Sequence, residues 1–261
     1  MFLLYMNENS VEPSSEPFNL LRKLWHMLGL LPPVCIYLDV FRWFTDQDGQ
    51  TKPVLLVFYL ILTGIILIAD YYRLTSAGFQ KFYYHYLGKL MKEEEKSRIN
   101  ATIPYLFSNF LLFVFFSSEV AVISSIFLIF GDPAAAYFGH KFGRIRFKNK
   151  KSLEGTAGFA IVGFIFAFVF LIFHNYHTNP YDAFLLIKQG SVNFFLLILI
   201  AFGALFAAVT ETLSGNSLFG LLDDNLFVPL VSAAGMSVMG YFLFDMPYSS
   251  LFTEFSLLSV F

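Results

Sequence analysis

Asp132 stands within an apolar stretch, in the run Gly131-Asp132-Pro133-Ala134-Ala135-Ala136-Tyr137-Phe138-Gly139-His140-Lys141-Phe142-Gly143-Arg144. A carboxylate in apolar surroundings is costly and is usually matched by a cationic partner or a metal. Ala134 to Ala136, Gly139 and Gly143 keep the chain thin, so that a second helix or a chain of phosphates can approach the backbone. Lys141, Arg144, Lys150 and Lys151 add the positive charge that a polyphosphate needs, and Lys151, Glu154, Gly155 and Thr156 form a compact charged turn before the next apolar stretch. A helix starting there would favour an anion. The plainer alternative is that the small residues only pack helices and the basic ones only set topology.

A second group is Glu211-Thr212 with Asp223-Asp224-Asn225 and Pro229. Adjacent carboxylates and an amide suit a hard divalent cation, which prefers oxygen ligands and bridges nucleotide phosphates. Asp or Asn ahead of an apolar helix also serves as a cap, although capping needs one residue where three are present. Asp70 and Arg73 share one helical face, which fits either a site or a simple ion pair. Arg22, Lys23 and His26 read as site residues or as topology signals. His174 and His177 have helical spacing for a metal, but Asp182 is their only nearby carboxylate, a poor ligand set.

The elements that must position these residues are membrane helices. Of 261 residues, 57% are hydrophobic and only 14% charged, whereas a soluble domain needs roughly a quarter charged. Apolar stretches near 27–44, 53–69, 101–117, 119–138, 156–173, 191–209 and 226–244 each approach the ~20 residues that cross ~30 Å of hydrocarbon as a helix. The expectation is an all-α, polytopic bundle of about seven spans, with a tight turn at Ser117-Ser118-Glu119. Fourteen of the 17 Lys and Arg residues fall in segments on one side, leaving Arg42, Lys52 and Lys188; positive-inside bias then places the N-terminus in the cytoplasm.

Within the segment 70–100, Phe79, Phe82, Tyr83, Tyr86, Leu87 and Leu90 alternate with Lys81, Lys89 and Lys92 at helical spacing. That predicts an amphipathic helix on the membrane surface, either a lipid entrance or a plain connector. Ala183 to Ile187 is expected to be interfacial. The single Cys35 excludes an internal disulfide, a net charge of -2 gives no reason to expect nucleic acid, and no removable signal peptide is expected. One domain over 1–261, with 1–21 a flexible tail, is the simplest division.

The run from Gly131-Asp132 through Gly139 and Gly143, then Lys151-x-x-Glu154-Gly155-Thr156, Glu211 and Asp223-Asp224-Asn225-x-x-x-Pro229 resembles the CTP-dependent lipid kinases: dolichol kinases, phytol and farnesol kinases and yeast-type diacylglycerol kinases. Arg22-Lys23-x-x-His26 and Asp70-x-x-Arg73 are similar to that family's earlier motifs. Where the family often carries a glycine before an Ala-Thr pair, this chain has Asn100 before Ala101-Thr102. The resemblance implies transfer of the γ-phosphate of CTP to a membrane lipid alcohol. Asp132, Asp223 and Asp224 would then handle Mg2+ and nucleotide, the basic residues would hold the phosphates, and Glu154 or Glu211 would accept the hydroxyl proton. A cytidylyltransferase and a transporter are the rival readings. The compact length inclines the location to a bacterial inner membrane over an endoplasmic reticulum membrane.

Overall fold

In the computed structural model, residues 27–45, 47–88, 91, 96–147, 149–178, 182–188, 190–214 and 223–253 are described. Arg22, Lys23, His26 and the expected flexible tail lie outside them. The order is α1 (Leu31–Tyr37), α2 (Arg42–Thr45), α3 (Thr51–Thr75), α4 (Ala77–Leu87), α5 (Thr102–Phe115), α6 (Ser118–Phe142), α7 (Leu153–His177), β1 (Ile187–Lys188), β2 (Ser191–Val192), α8 (Phe194–Leu213), α9 (Asp224–Leu243) and α10 (Tyr248–Leu251). The protein is an all-α membrane bundle. Among the described residues, α3, α6, α7, α8 and α9 are long and apolar enough to cross a membrane.

Helix α6 is the central post, with 67% of its most apolar window buried, whereas α3 has 11% and turns most of its surface to lipid. Around α6 pack α7, α9, α1 and α8, with α5 filling the space between α3 and α9. Polar side chains inside this core are tied locally: Ser125 Oγ donates to Asn109 Oδ1 at 3.1 Å, and Ser108 Oγ to the Leu226 carbonyl at 3.2 Å. The turn at Ser117 is as tight as expected, because its side chain accepts from the Val120 amide and so caps α6.

The stretch 27–44 departs from expectation, since it is not one continuous helix. Asp39 takes a positive φ of 45°, and its carboxylate accepts from the Gly49 and Thr51 amides at 2.6 and 3.1 Å. A residue that caps the following helix cannot also continue its own, so the chain turns there. The stretch 101–117 also shortens, to the 14-residue α5, about 21 Å at 1.5 Å per residue and too short for ~30 Å of hydrocarbon. Its end meets the returning chain, where Phe116 pairs with Phe252 and Ser117 N donates to the Leu251 carbonyl. In the expected interfacial piece Ala183 to Ile187, Phe184, Leu185 and Leu186 are buried within the protein and Ile187 is exposed.

Asp70 and Arg73 form a buried clamp. They are 2% and 0% exposed, and Arg73 Nε donates to Asp70 Oδ1 at 2.6 Å. The guanidinium also donates to the carbonyls of Lys96 and Arg98, while the Asn100 amide donates to Asp70 Oδ2 at 2.8 Å. Asn100 further caps α5 through the Thr102 amide and donates to Tyr83 Oη. The side chain that stands where the family often has glycine therefore fastens α4 to α3 and α5. The amphipathic helix spans Ala77–Leu87, with Phe82 and Tyr86 exposed. Arg73→Met would leave Asp70 buried without its cation, a loss of about 3–5 kcal/mol. A clear fall in melting temperature in detergent is expected; an unchanged melting curve would sink the clamp.

Candidate active site

Four helix ends meet where α6 closes, α7 opens, α8 closes and α9 opens. Gly155 makes the α6–α7 crossing possible: a Cβ there would lie 2.9 Å from the Ala135 carbonyl oxygen and 3.4 Å from Gly139 Cα. A Cβ on Gly139 would in turn press on Ser152 Oγ at 3.0 Å. The two backbones thus meet as the small residues require. Pro133 inside α6 has no amide to give the preceding turn, and Asp132 sits beside that gap in the helix ladder.

From this crossing Asp132 on α6, Glu211 on α8 and Asp224 on α9 converge, each offering a carboxylate oxygen within 4.8 Å of the others. Glu211 is buried, and Asp132 and Asp224 are half-buried. Lys151 closes the group: its Nζ is 2.9 Å from Glu211 Oε1 and 3.8 Å from Asp224 Oδ2, and it also donates to the Glu211 carbonyl. Three carboxylates this close repel one another, and the Lys151 ammonium offsets part of that repulsion. Oxygen ligands at that spacing suit a hard divalent ion.

The connection between α6 and α7 is a small hairpin. Arg146 pairs with Ser152, Phe147 N donates to the Lys151 carbonyl at 2.8 Å, and Lys150 N to the Phe147 carbonyl at 3.0 Å. Lys150 adopts a positive φ of 67° at the turn. Glu154 braces this loop from below, accepting from Arg144 N at 3.0 Å and Ile145 N at 3.3 Å. The start of α7 is satisfied by the protein itself, since Gly155 N donates to Ser152 Oγ and Leu153 N to the Ile145 carbonyl. Thr156 Oγ1 lies 2.6 Å from Thr212 Oγ1, joining α7 to α8.

These elements enclose a cleft of about 200 Å3, lined by Asp132, Gly139, Gly155, Thr156, Lys150, Lys151 and Glu211 among the residues expected from sequence. Arg146, His140 and Ser152 also line it; Arg146 was missed because a run of basic residues does not reveal which of them a turn will aim inward. Lys141 instead donates to Tyr137 Oη and lies over the Tyr137 and Phe142 rings. Arg144 is exposed and joins the site through its backbone amide. Gly143 packs against Ser152.

Asp223 caps α9, its Oδ1 accepting from Leu226 N at 3.3 Å. Burial, with the neighbouring Asp224 charge adding to it, pushes the Asp223 carboxyl up to about 7. Asn225 Nδ2 donates to Asp223 at 3.2 Å and to Asp224 at 3.4 Å, so it holds the two side chains together. Glu211 takes the third place in the carboxylate group beside Asp132 and Asp224. Asp70 and Arg73 belong to the separate clamp.

His174 and His177 part company at the opposite end of α7. His174 Nε2 lies 3.2 Å from Asp182 Oδ1 and its Nδ1 2.5 Å from Tyr37 Oη. His177 stacks on Phe173. The two imidazoles share no ligand position.

No protein-family model matches the chain, and no solved structure matches it significantly. It is similar to the CTP-dependent diacylglycerol kinase 1 of Saccharomyces cerevisiae, with 31% identity over 184 residues covering 67% of this chain and 60% of that protein. The protein of the same name from Schizosaccharomyces pombe is 31% identical over 166 residues, covering 63% of this chain and 71% of the relative. The one from Eremothecium gossypii is 29% identical over 177 residues, 66% of this chain and 54% of the relative. With this sequence similarity and the four helix ends gathering the motif residues into one cleft, the chain belongs to the CTP-dependent lipid kinase family.

Proposed function

We propose that the chain transfers the γ-phosphate of CTP to the hydroxyl of a membrane lipid, with diacylglycerol the acceptor. The observation that carries this reading is the convergence of Asp132, Glu211, Asp224 and Lys151 beside a cation-lined cleft at the end of a membrane bundle. The relatives' names supply the donor and the acceptor class. A volume near 200 Å3 is below the ~300–1,000 Å3 of a pocket that encloses a drug-sized ligand. The phosphates therefore occupy the cleft and the ribose and base extend beyond it. This end of the bundle faces the cytoplasm, where CTP is available and where the positive-inside bias puts the hairpin.

Asp132, Glu211 and Asp224 fit Mg2+ by donor type and spacing, and such an ion supplies charge neutralisation to the terminal phosphates when bound. Arg146, Lys150 and Lys151 hold the phosphate oxygens. Phosphoryl transfer depends mainly on alignment and charge stabilisation. The lipid enters sideways, its hydroxyl oxygen bonds to the γ-phosphorus, the bond from that phosphorus to the β–γ bridging oxygen breaks, and CDP leaves. Glu154 is committed to the loop amides and does not line the cleft, whereas Glu211 does; Glu211 is therefore assigned the hydroxyl proton, which leaves Asp132 and Asp224 to hold the cation during transfer. Fungal relatives favour a eukaryotic membrane, the endoplasmic reticulum being the natural candidate, over the bacterial one expected from length.

The test is purified protein in mixed micelles with γ-labelled CTP, Mg2+ and a panel of diacylglycerol, polyprenol and phytol, with phosphatidate included as the acceptor that a cytidylyltransferase would need. Label in phosphatidate is the expected result. Label confined to pyrophosphate would instead establish cytidylyl transfer, and no labelled lipid from any alcohol would remove the kinase reading.

A further inference from the structure

Asn149, at the tip of the α6–α7 hairpin, reaches across to the end of α8. Its Nδ2 donates to the Thr212 carbonyl at 2.6 Å, and its Oδ1 accepts from Lys151 N at 3.3 Å. The Thr212 carbonyl is among the last four of α8, which have no partner within the helix. Lys151 Nζ takes the neighbouring Glu211 carbonyl. Two side chains of the hairpin, two residues apart, therefore bond two adjacent carbonyls of the helix end, and the cation of the pair also favours the negative end of the helix dipole.

Within the hairpin the Asn149 side chain makes one long bond, to Lys151 N at 3.3 Å, beside a turn that the backbone already closes. That turn is closed by backbone bonds, Phe147 N to the Lys151 carbonyl and Lys150 N to the Phe147 carbonyl, and the base of the hairpin by Glu154. The shorter bond of the Asn149 side chain, at 2.6 Å, is the attachment to α8, one residue beyond Glu211. We infer that Asn149 is a positioning residue for the nucleotide: it holds the hairpin against α8, keeping the Lys151 ammonium between Glu211 and Asp224 and Arg146 and Lys150 on the cleft. The inference rests on the reading of that cleft as the CTP site.

Asn149→Ala and Asn149→Gln in the full chain test it. In Asn149→Ala the KM for CTP should rise about fivefold or more, the loss of one short hydrogen bond between the hairpin and the Thr212 carbonyl. The KM for diacylglycerol and the melting temperature should stay at the wild-type values, and Asn149→Gln, which keeps the donor, should recover part of the CTP affinity. A wild-type KM for CTP in Asn149→Ala would overturn the inference. So would a rise in both KM values accompanied by a lower melting temperature, as a residue needed only for folding would give. Should the wild-type chain label no lipid at all, the kinase reading fails, and the latch is then read by trypsin. Faster cleavage after Lys150 in Asn149→Ala upholds it, and equal rates overturn it.

Discussion

Asp132→Asn is expected to lower phosphate transfer from CTP to diacylglycerol by about a thousandfold, the scale on which single charged groups act in phosphoryl transfer. The change keeps the size of the side chain and removes its charge. Asp132 stands beside the Pro133 gap in α6, where its oxygen lies within 4.8 Å of ligand oxygens on Glu211 and Asp224. Removing one of three like charges relieves repulsion among the carboxylates, so the variant should fold and insert at least as well as the wild type. A loss of activity with an unchanged melting temperature therefore separates a site residue from a packing residue. Activity within a few-fold of wild type would show that Asp132 takes no part.

Lys151→Ala is expected to cost about 10²–10³ in rate, the range for losing one preorganised group that faces developing charge. Its ammonium is 2.9 Å from Glu211 Oε1, held there by the Glu211 carbonyl as well. The ammonium offsets the charge of Glu211 and Asp224, and on the proposed reading it meets the phosphates of the nucleotide. On the proposed reading the two variants should differ in one respect: Asp132→Asn would lose a ligand for a divalent cation, whereas Lys151→Ala would lose a positive charge beside it. Lys151→Arg should recover little, because a planar fork does not occupy the place of a compact ammonium. Full activity in Lys151→Ala would exclude it from the phosphate site.

How far the site was legible depended on which residues announce their surroundings. Asp132 could be read because a carboxylate in an apolar helix demands a partner, and Gly139 and Gly155 because small residues at a helix crossing leave room for a second backbone. The all-α bundle followed from the length of the apolar stretches, although those stretches ended short of helices such as Thr51–Thr75 and Leu153–His177, whose ends carry polar residues beyond the apolar core. The break at Asp39 was hidden, since its φ and its bonds to Gly49 and Thr51 arise from the turn rather than from hydropathy. Among the basic residues, only the path of the hairpin decides that Arg146 and Lys150 face the cleft while Lys141 rests on Tyr137 and Phe142. The same holds for the carboxylates, where adjacency suggested Asp223 with Asp224, but the cap of α9 takes Asp223 and the end of α8 delivers Glu211.

The most direct measurement is equilibrium binding of Mn2+ in the presence of CTP, followed by electron paramagnetic resonance on the purified protein. The account predicts CTP-dependent Mn2+ binding by the wild type, weakening by about tenfold or more in Asp132→Asn and in Asp224→Asn, and survival of Mn2+ binding in Lys151→Ala. Equal Mn2+ binding by the wild type and both carboxylate variants would contradict it, because the three helix ends would then not form the cation site.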